Sequence, residues 1–160
     1  MERSSANARL IIVCGLPGSG KTTHARRLET ELSAIRFCAD EWMEALAVDL
    51  WDETLRGKVE RLQWQLAQQF LTQGLTVIVE WGTWSKAERD ALRLRARDMG
   101  VAVDLHYLTA PIDVLYERIQ KRCMENPPIT REQLLAWEQV FQTPTSEEQA
   151  SFDKAVTVEQ

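Results

Sequence analysis

One run of residues, 15–22, combines residue types and spacing that could bind a nucleotide phosphate. Its sequence, GLPGSGKT, matches the pattern G-x-x-x-x-G-K-[ST] at every fixed position. Glycines in such a loop let successive backbone amides point inward and leave room for phosphate oxygens. Lys21 adds a positive charge for the β- and γ-phosphates, and Thr22 offers a hydroxyl to Mg²⁺. The candidate nucleotide contacts of this phosphate loop are Gly15, Pro17, Gly18, Ser19, Gly20, Lys21, Thr22 and Thr23.

The residues on either side of the phosphate loop predict the strand and the helix that such a loop needs. Residues 10–14 form a short apolar run with β-branched side chains, which is typical of a buried strand. Apolar residues at helical spacing predict a helix over 22–33. The N-terminus of that helix would present the positive end of its dipole to a phosphate.

Patterns farther along the chain alternate between strand and helix, which predicts a parallel α/β sheet. Capping boxes at 85–88 and 130–133 mark the starts of two helices, and Gly74 marks the end of a long amphipathic one. The further predicted strands are 35–38, 76–79, 101–108 and 155–158. The further predicted helices are 40–48, 55–74, 85–100, 111–123 and 130–141.

Composition limits the classes of partner. The chain has 160 residues, 44% of them hydrophobic, with 24 acidic against 19 basic side chains and a net charge of −5. These values indicate a globular chain, and an acidic surface disfavours nucleic acid or anionic membrane as a partner. Three cysteines without metal-type spacing, and a polar start with no long apolar run, predict a cytoplasmic protein. Both a monomer and a homodimer fit the sequence.

Side chains suited to phosphoryl transfer follow a predicted strand and lie on a predicted helix. Asp40 comes after the second strand, at the carboxyl edge where open α/β sheets bind ligands, and could orient or deprotonate a hydroxyl. A helix N-cap is the alternative role for Asp40. Arg118 and Arg122 lie one helical turn apart and could reach a triphosphate. A solvated helix face is the alternative role for these two arginines.

Several classes of phosphate-loop protein lack their signatures in this sequence. No guanine-binding [NT]-K-x-D occurs, which disfavours a GTPase, and no L-S-G-G-Q occurs, which disfavours an ABC cassette. The chain is also too short for a core followed by the helical lid domain of oligomeric AAA+ proteins. A compact small-molecule kinase fold remains.

Tryptophans cluster near the predicted strand ends. Trp42 follows Asp40 by two residues, and Trp81 and Trp84 come directly after Glu80. We expect these strand ends to be neighbours, so that the three tryptophans line one acidic, aromatic pocket for a hydroxylated acceptor with an apolar, planar or cationic part. Core packing is the alternative role of each tryptophan. The remaining tryptophans are interpreted as packing residues: Trp51, Trp64 and Trp137.

The phosphate loop resembles that of the ATP-binding small kinases of the AAA family, relatives of zeta toxins, chloramphenicol phosphotransferase, gluconate kinase and the kinase part of polynucleotide kinase. Weaker similarity continues collinearly through FCAD at 37–40, VIVE at 77–80 and LTAP at 108–111. The resemblance covers residues 9–150. It implies a P-loop NTPase three-layer sandwich with a five-stranded parallel sheet in the order 2-3-1-4-5, as one domain over 1–160. It also implies a short mobile lid near 122–131 that carries arginines.

The resemblance implies an enzyme that moves the γ-phosphate of Mg-ATP to a hydroxyl of a small-molecule acceptor. It implies Asp40 as general base. In such an enzyme Lys21 would neutralise charge on the γ-phosphate, Arg118 with Arg122 or Arg131 would cover the leaving group, and Arg122 would contact the nucleotide. Relatives usually carry aspartate where this chain has Glu80, which leaves open whether Glu80 holds the metal with Thr22 or contacts the substrate.

A nucleotide-dependent switch without phosphotransfer is the alternative from a different class of protein. In such a switch, ATP would order the Pro127–Pro128 segment, and a partner would recognise the ordered form. Asp40 would then only cap a helix.

Overall fold

A five-stranded parallel sheet forms the middle of the protein. The computed structural model describes residues 8–160, so the first seven residues of the predicted domain lie outside the description. The strand order is β2-β3-β1-β4-β5, and every neighbouring pair is parallel, which confirms the predicted topology. The strands are β1 (Arg9–Cys14), β2 (Ile35–Phe37), β3 (Thr76–Gly82), β4 (Ala102–Thr109) and β5 (Lys154–Glu159).

Seven helices connect these strands in the described part of the chain. Both predicted capping boxes form, at Ser85 with Glu88 and at Thr130 with Gln133. No helix among residues 8–160 is long and apolar enough to cross a membrane. The helices are α1 (Lys21–Leu32), α2 (Ala39–Ala45), α3 (Glu53–Thr72), α4 (Lys86–Asp98), α5 (Ile112–Arg122), α6 (Arg131–Val140) and α7 (Ser146–Ala150).

The short helix α7 is absent from the sequence-based prediction. It has only five residues, too few to show an apolar period, and its start depends on the Thr145 side chain, which accepts a hydrogen bond from the backbone of Glu148 at 3.1 Å. The other elements occur where they are expected, with ends that differ by a few residues. The strand β3 continues to Gly82, beyond its predicted end.

Helices bury both faces of the sheet. Side chains alternate along β1, so that Leu10 and Ile12 enter one core with residues of α3 and α4. Ile11 and Val13 enter a second core with residues of α1. A third core lies under the segment after α5 and includes Ile129. A strand buried on both faces has no polar alternation, which explains the continuous apolar run at 10–14.

A fully buried ion pair joins α4 to α7. Arg89 is 0% exposed, and its Nε and Nη2 donate to the two carboxylate oxygens of Glu148 at 2.5 and 3.0 Å. The same guanidinium donates to the backbone oxygens of Thr83 at 2.8 Å and Gln142 at 2.6 Å. Its carbon lies 5.9 Å from the centre of the Phe141 ring. One side chain thus holds the β3–α4 loop against the α6–α7 loop.

We expect Glu148→Gln to lower the free energy of unfolding by about 3–5 kcal/mol, because the Arg89 charge then remains buried without a counter-ion. Urea unfolding followed by circular dichroism measures this change. Glu117→Gln is the control, since Glu117 pairs with Lys121 on the exposed face of α5, and it should leave stability essentially unchanged. Equal effects of the two substitutions would contradict the structural role of the buried pair.

Candidate nucleotide and acceptor site

The phosphate loop joins β1 to α1 and passes close to neighbouring backbone. A side-chain carbon at Gly15 would lie 2.4 Å from the backbone oxygen of Leu108, and one at Gly18 would lie 2.6 Å from that of Leu115. Both glycines also have positive φ, 151° and 80°. Only glycine fits these two positions, so the loop keeps a backbone shape that suits phosphate oxygens.

Lys21 spans the phosphate loop from the first turn of α1. Its Nζ donates to the backbone oxygens of Gly15 and Leu16, both at 2.9 Å. Burial, followed by the positive charge of Arg122, lowers the pKa of Lys21 to about 8. A bound triphosphate would supply the negative charge that this ammonium group lacks here.

The two predicted arginines lie beside the loop. Arg118 donates from Nη1 to the backbone oxygen of Gly18 at 3.2 Å, and Arg122 pairs with Glu125 in the segment after α5. Both arginines line the same groove as the phosphate loop. Arg131, at the other end of the predicted lid, pairs with Asp113 at 2.8 Å and is absent from the groove lining.

Glu80 and Thr22 meet where the phosphate loop enters α1. The hydroxyl of Thr22 donates to Oε1 of Glu80 at 2.9 Å. Oε2 of Glu80 is buried without a hydrogen-bond partner among residues 8–160, while Nη1 of Arg36 lies 3.4 Å from Oε1. The described residues contain no group of three or more His, Cys, Asp or Glu that could hold a metal ion. One carboxylate and one hydroxyl fit Mg²⁺, which takes its other ligands from phosphate and water.

Asp40 lies in the first turn of α2 and does not cap that helix. The N-cap residue is Cys38, and no side chain caps the helix start, so the alternative role of Asp40 as a cap is wrong. Oδ1 of Asp40 instead accepts from Nη1 of Arg56 on α3 at 2.5 Å. The carboxylate remains 34% exposed and lines the groove, where it can meet a ligand.

The groove has a volume of about 1170 Å³, and its lining includes both the phosphate loop and four tryptophans. We call the part lined by Trp51, Trp81, Trp84 and Trp137 the tryptophan end. Three of these rings, Trp51, Trp84 and Trp137, pack in one cluster with Leu16 of the phosphate loop. Trp81 packs edge-on against the Trp64 ring at 6.4 Å, and Trp84 packs against Trp137 at 5.6 Å. Two of the tryptophans that line the groove, Trp51 and Trp137, are ones that the sequence assigned to packing alone.

Trp42 is not among the residues that line the groove, contrary to the prediction from sequence. Its ring packs edge-on against Phe37 at 6.0 Å, beside the core that contains β1 and β3. The reason is helical geometry, because residues two apart on a helix point in nearly opposite directions. Asp40 faces the groove from α2, so Trp42 cannot share that face.

Glu60 is a groove residue that sequence reasoning missed. It lies on one face of α3 with Glu53, Arg56 and Gly57, and all four line the groove. Burial raises the pKa of Glu60 to about 7, and Glu88 and Glu53 add to the rise, while Arg56 opposes it. The signal in the sequence was a row of polar residues at helical spacing along α3. These residues lie at positions that do not contribute to the core.

The raised pKa of Glu60 makes stability depend on pH. The folded protein holds this proton up to about pH 7, whereas the unfolded chain releases it near 4.5, so stability falls as the pH rises between these values. We expect Glu60→Gln to raise the free energy of unfolding by about 2 kcal/mol at pH 8 and by little at pH 4. Urea unfolding of both proteins at the two pH values measures this difference. A gain of the same size at both pH values would contradict the assignment.

A phosphate loop between the first strand and the first helix of this parallel sheet defines a P-loop NTPase fold. A family model described as an AAA domain matches residues 10–144, and the chain belongs to that family. This match confirms the resemblance to the AAA-family P-loop kinases. A search of the curated proteins found no match.

Solved structures share the fold at low sequence identity. A candidate kinase from Chloroflexus aurantiacus has a TM-score of 0.75 and 21% identity, with 96% of this chain and 88% of that chain covered. A sugar kinase from a Janibacter species has a TM-score of 0.64 and 22% identity, with 95% and 85% covered. Kti12 from Chaetomium thermophilum, in complex with ADP-AlF3, has a TM-score of 0.69 and 17% identity, with 94% and 88% covered. These likenesses establish the fold.

Proposed function

We propose that the protein is a phosphotransferase that moves the γ-phosphate of Mg-ATP to a hydroxyl of a small acceptor. One observation supports this function above all: the phosphate loop, the Asp40 carboxylate and the tryptophan end line one and the same groove. A phosphate donor and a hydroxyl acceptor could therefore meet inside it. Kinase names among the structural neighbours agree with this proposal.

The nucleotide end would bind and neutralise the triphosphate. Lys21 would exchange its two backbone contacts for phosphate oxygens, and Arg118 and Arg122 would cover the transferring group. Thr22 and Glu80 would hold Mg²⁺, which supplies charge neutralisation on the phosphates. Most of the rate gain in such a site comes from positioning and electrostatics.

Asp40 would serve the acceptor. Its carboxylate would align the hydroxyl and take up its proton as the oxygen bonds to the γ-phosphorus and ADP leaves. The Arg56 guanidinium, at 2.5 Å, holds the carboxylate in place. Residues 122–131 would close as a lid, and the indole of Trp51 already donates to the backbone oxygen of Pro127 at 2.9 Å.

Lys21→Ala should lower ADP release in the presence of an acceptor by about 10²-fold or more, because the β- and γ-phosphates lose their nearest positive charge. Coupled ADP assays measure the rate, and circular dichroism verifies the fold. Lys58→Ala is the matched control, since Lys58 is exposed on α3 and is absent from the groove lining. Undiminished turnover in the Lys21 variant would refute the proposed function.

Asp40→Asn separates the phosphotransferase from the nucleotide-dependent switch. We expect kcat to fall by about 10²–10⁴-fold while the Kd for ATP stays unchanged, because asparagine keeps the contact with Arg56 but takes up no proton. Steady-state kinetics and titration with a fluorescent ATP analogue give the two values. Asp98→Asn, an exposed change at the end of α4, is the control. If the protein is instead a nucleotide-dependent switch, the wild type and the Asp40→Asn and Asp98→Asn variants should all bind and respond to ATP in the same way.

A further inference from the structure

We propose that the acceptor is a hydroxylated cation, such as an amino alcohol or an amino sugar, and that Glu60 binds its ammonium group at the tryptophan end of the groove. This inference rests on the proposed function, because it names the class of molecule that receives the phosphate. The two proposals can be tested separately, because binding of a cation can be measured without any phosphate transfer.

Charge divides the groove into two parts. The nucleotide end carries Lys21, Arg118 and Arg122, which suit a polyanion. The other charged residues of the lining are mostly acidic, and their two arginines are already paired: Arg56 with Asp40 at 2.5 Å, and Arg26 with Glu41 at 2.5 Å. Three further carboxylates line the groove and form no ion pair within residues 8–160: Glu44, Glu60 and Glu88. A positive acceptor would therefore be attracted to the part of the groove that the triphosphate does not occupy.

Of these three carboxylates, Glu60 is the least exposed and therefore most needs a partner. It is half-buried, and the described residues offer its side chain neither a hydrogen bond nor an ion pair within 4 Å. A carboxylate that leaves water without a partner is destabilised, which is the reason for its raised pKa. The ammonium group of a ligand would replace the lost hydration and lower that pKa again. A neutral acceptor would bury Glu60 further with no such compensation.

The tryptophans supply the second feature of a cation site. Indole faces attract cations through their quadrupole, and the Trp81 indole contacts α3 at Gln63, one helical turn from Glu60. The Trp81 ring is fixed, because its Nε1 donates to the buried Gln63 at 2.7 Å, and Gln63 in turn donates to the backbone of Cys38 at 3.0 Å. A fixed ring loses little conformational freedom when a ligand binds.

Thr83 points independently to a polar ligand. It lines the groove between Trp81 and Trp84, is only 7% exposed, and its hydroxyl has no hydrogen-bond partner in the described part of the chain. Buried hydroxyls are rarely left in this state, because the loss of water costs free energy. A hydroxyl or ammonium group of the acceptor would satisfy the Thr83 oxygen.

Gly57 leaves room for this ligand. A glycine inside a helix is less favourable than an alanine, so a glycine at this position needs a reason. A side-chain carbon at Gly57 would meet only the flexible end of Arg61, at 3.5 Å, so the space beside it is open. This opening lies one turn from Glu60 on the face of α3 that lines the groove.

Matched acceptors test the charge preference. Glucosamine, glucose and gluconate share a carbon skeleton but carry positive, zero and negative charge, and choline pairs in the same way with its uncharged isostere 3,3-dimethylbutanol. Binding is followed at pH 7 by the fluorescence of the groove tryptophans, and ADP release is measured separately. We expect one of the two cations to bind at least tenfold more tightly than its uncharged or anionic counterparts. We also expect Glu60→Gln to weaken that binding about tenfold, with the KM for ATP unchanged.

Glu31→Gln, an exposed change on α1 outside the groove, is the matched control and should leave cation binding unaltered. Equal binding of the charged and uncharged partners, no binding of either cation, or equal effects of the two glutamine variants would each overturn the cation site. Release of ADP with gluconate or glucose alone would also overturn it, while it supports the phosphotransferase. Cation binding that depends on Glu60 but gives no ADP release would support the site and refute the phosphotransferase.

Discussion

The buried guanidinium of Arg89 is the constraint on which the shape of the groove depends. A charge that is completely removed from water must be matched by partners, and Arg89 finds them in Glu148 and in two backbone oxygens. Those partners belong to the loop after β3, which carries Trp84, and to the segment that follows α6, the helix that carries Trp137. The tryptophan end therefore has a defined form because a charge beneath it cannot move without losing its counter-ion.

The two ends of the groove are built on different physical principles. Backbone shape dominates the nucleotide end, where glycines with no room for a side chain hold the loop against β4 and α5. Side chains on helices dominate the other end, where Asp40 and Glu60 reach the groove from α2 and α3. A loop of fixed backbone shape recognises the phosphates that nucleotides have in common, whereas side chains on helices distinguish ligands by charge and shape. This division agrees with the proposed pairing of a common donor with a particular acceptor.

Sequence reasoning recovered the features that depend on local pattern. The strand at 10–14, the phosphate loop, both capping boxes and the sheet order follow from short-range rules, or from a resemblance that those rules support. It misplaced Trp42, because proximity in sequence to Asp40 does not give a common direction on a helix. It missed the environment of Glu60, and it did not pair Arg89 with Glu148, since both depend on residues that only packing brings together. Ion pairs between residues that are far apart in the sequence leave no periodic pattern from which they could be predicted.

The separation of α3 into a core face and a groove face has a consequence for evolution. The core face places Gln63, Ala67 and Leu71 against the sheet, and the groove face carries Glu53, Gly57 and Glu60. Substitutions on the groove face can change ligand preference while the core that stabilises the fold stays intact. If the protein has the proposed function, mutation of these three positions on one helix would be enough to change the acceptor. The scaffold could then diversify along a single surface while the phosphate loop stays the same.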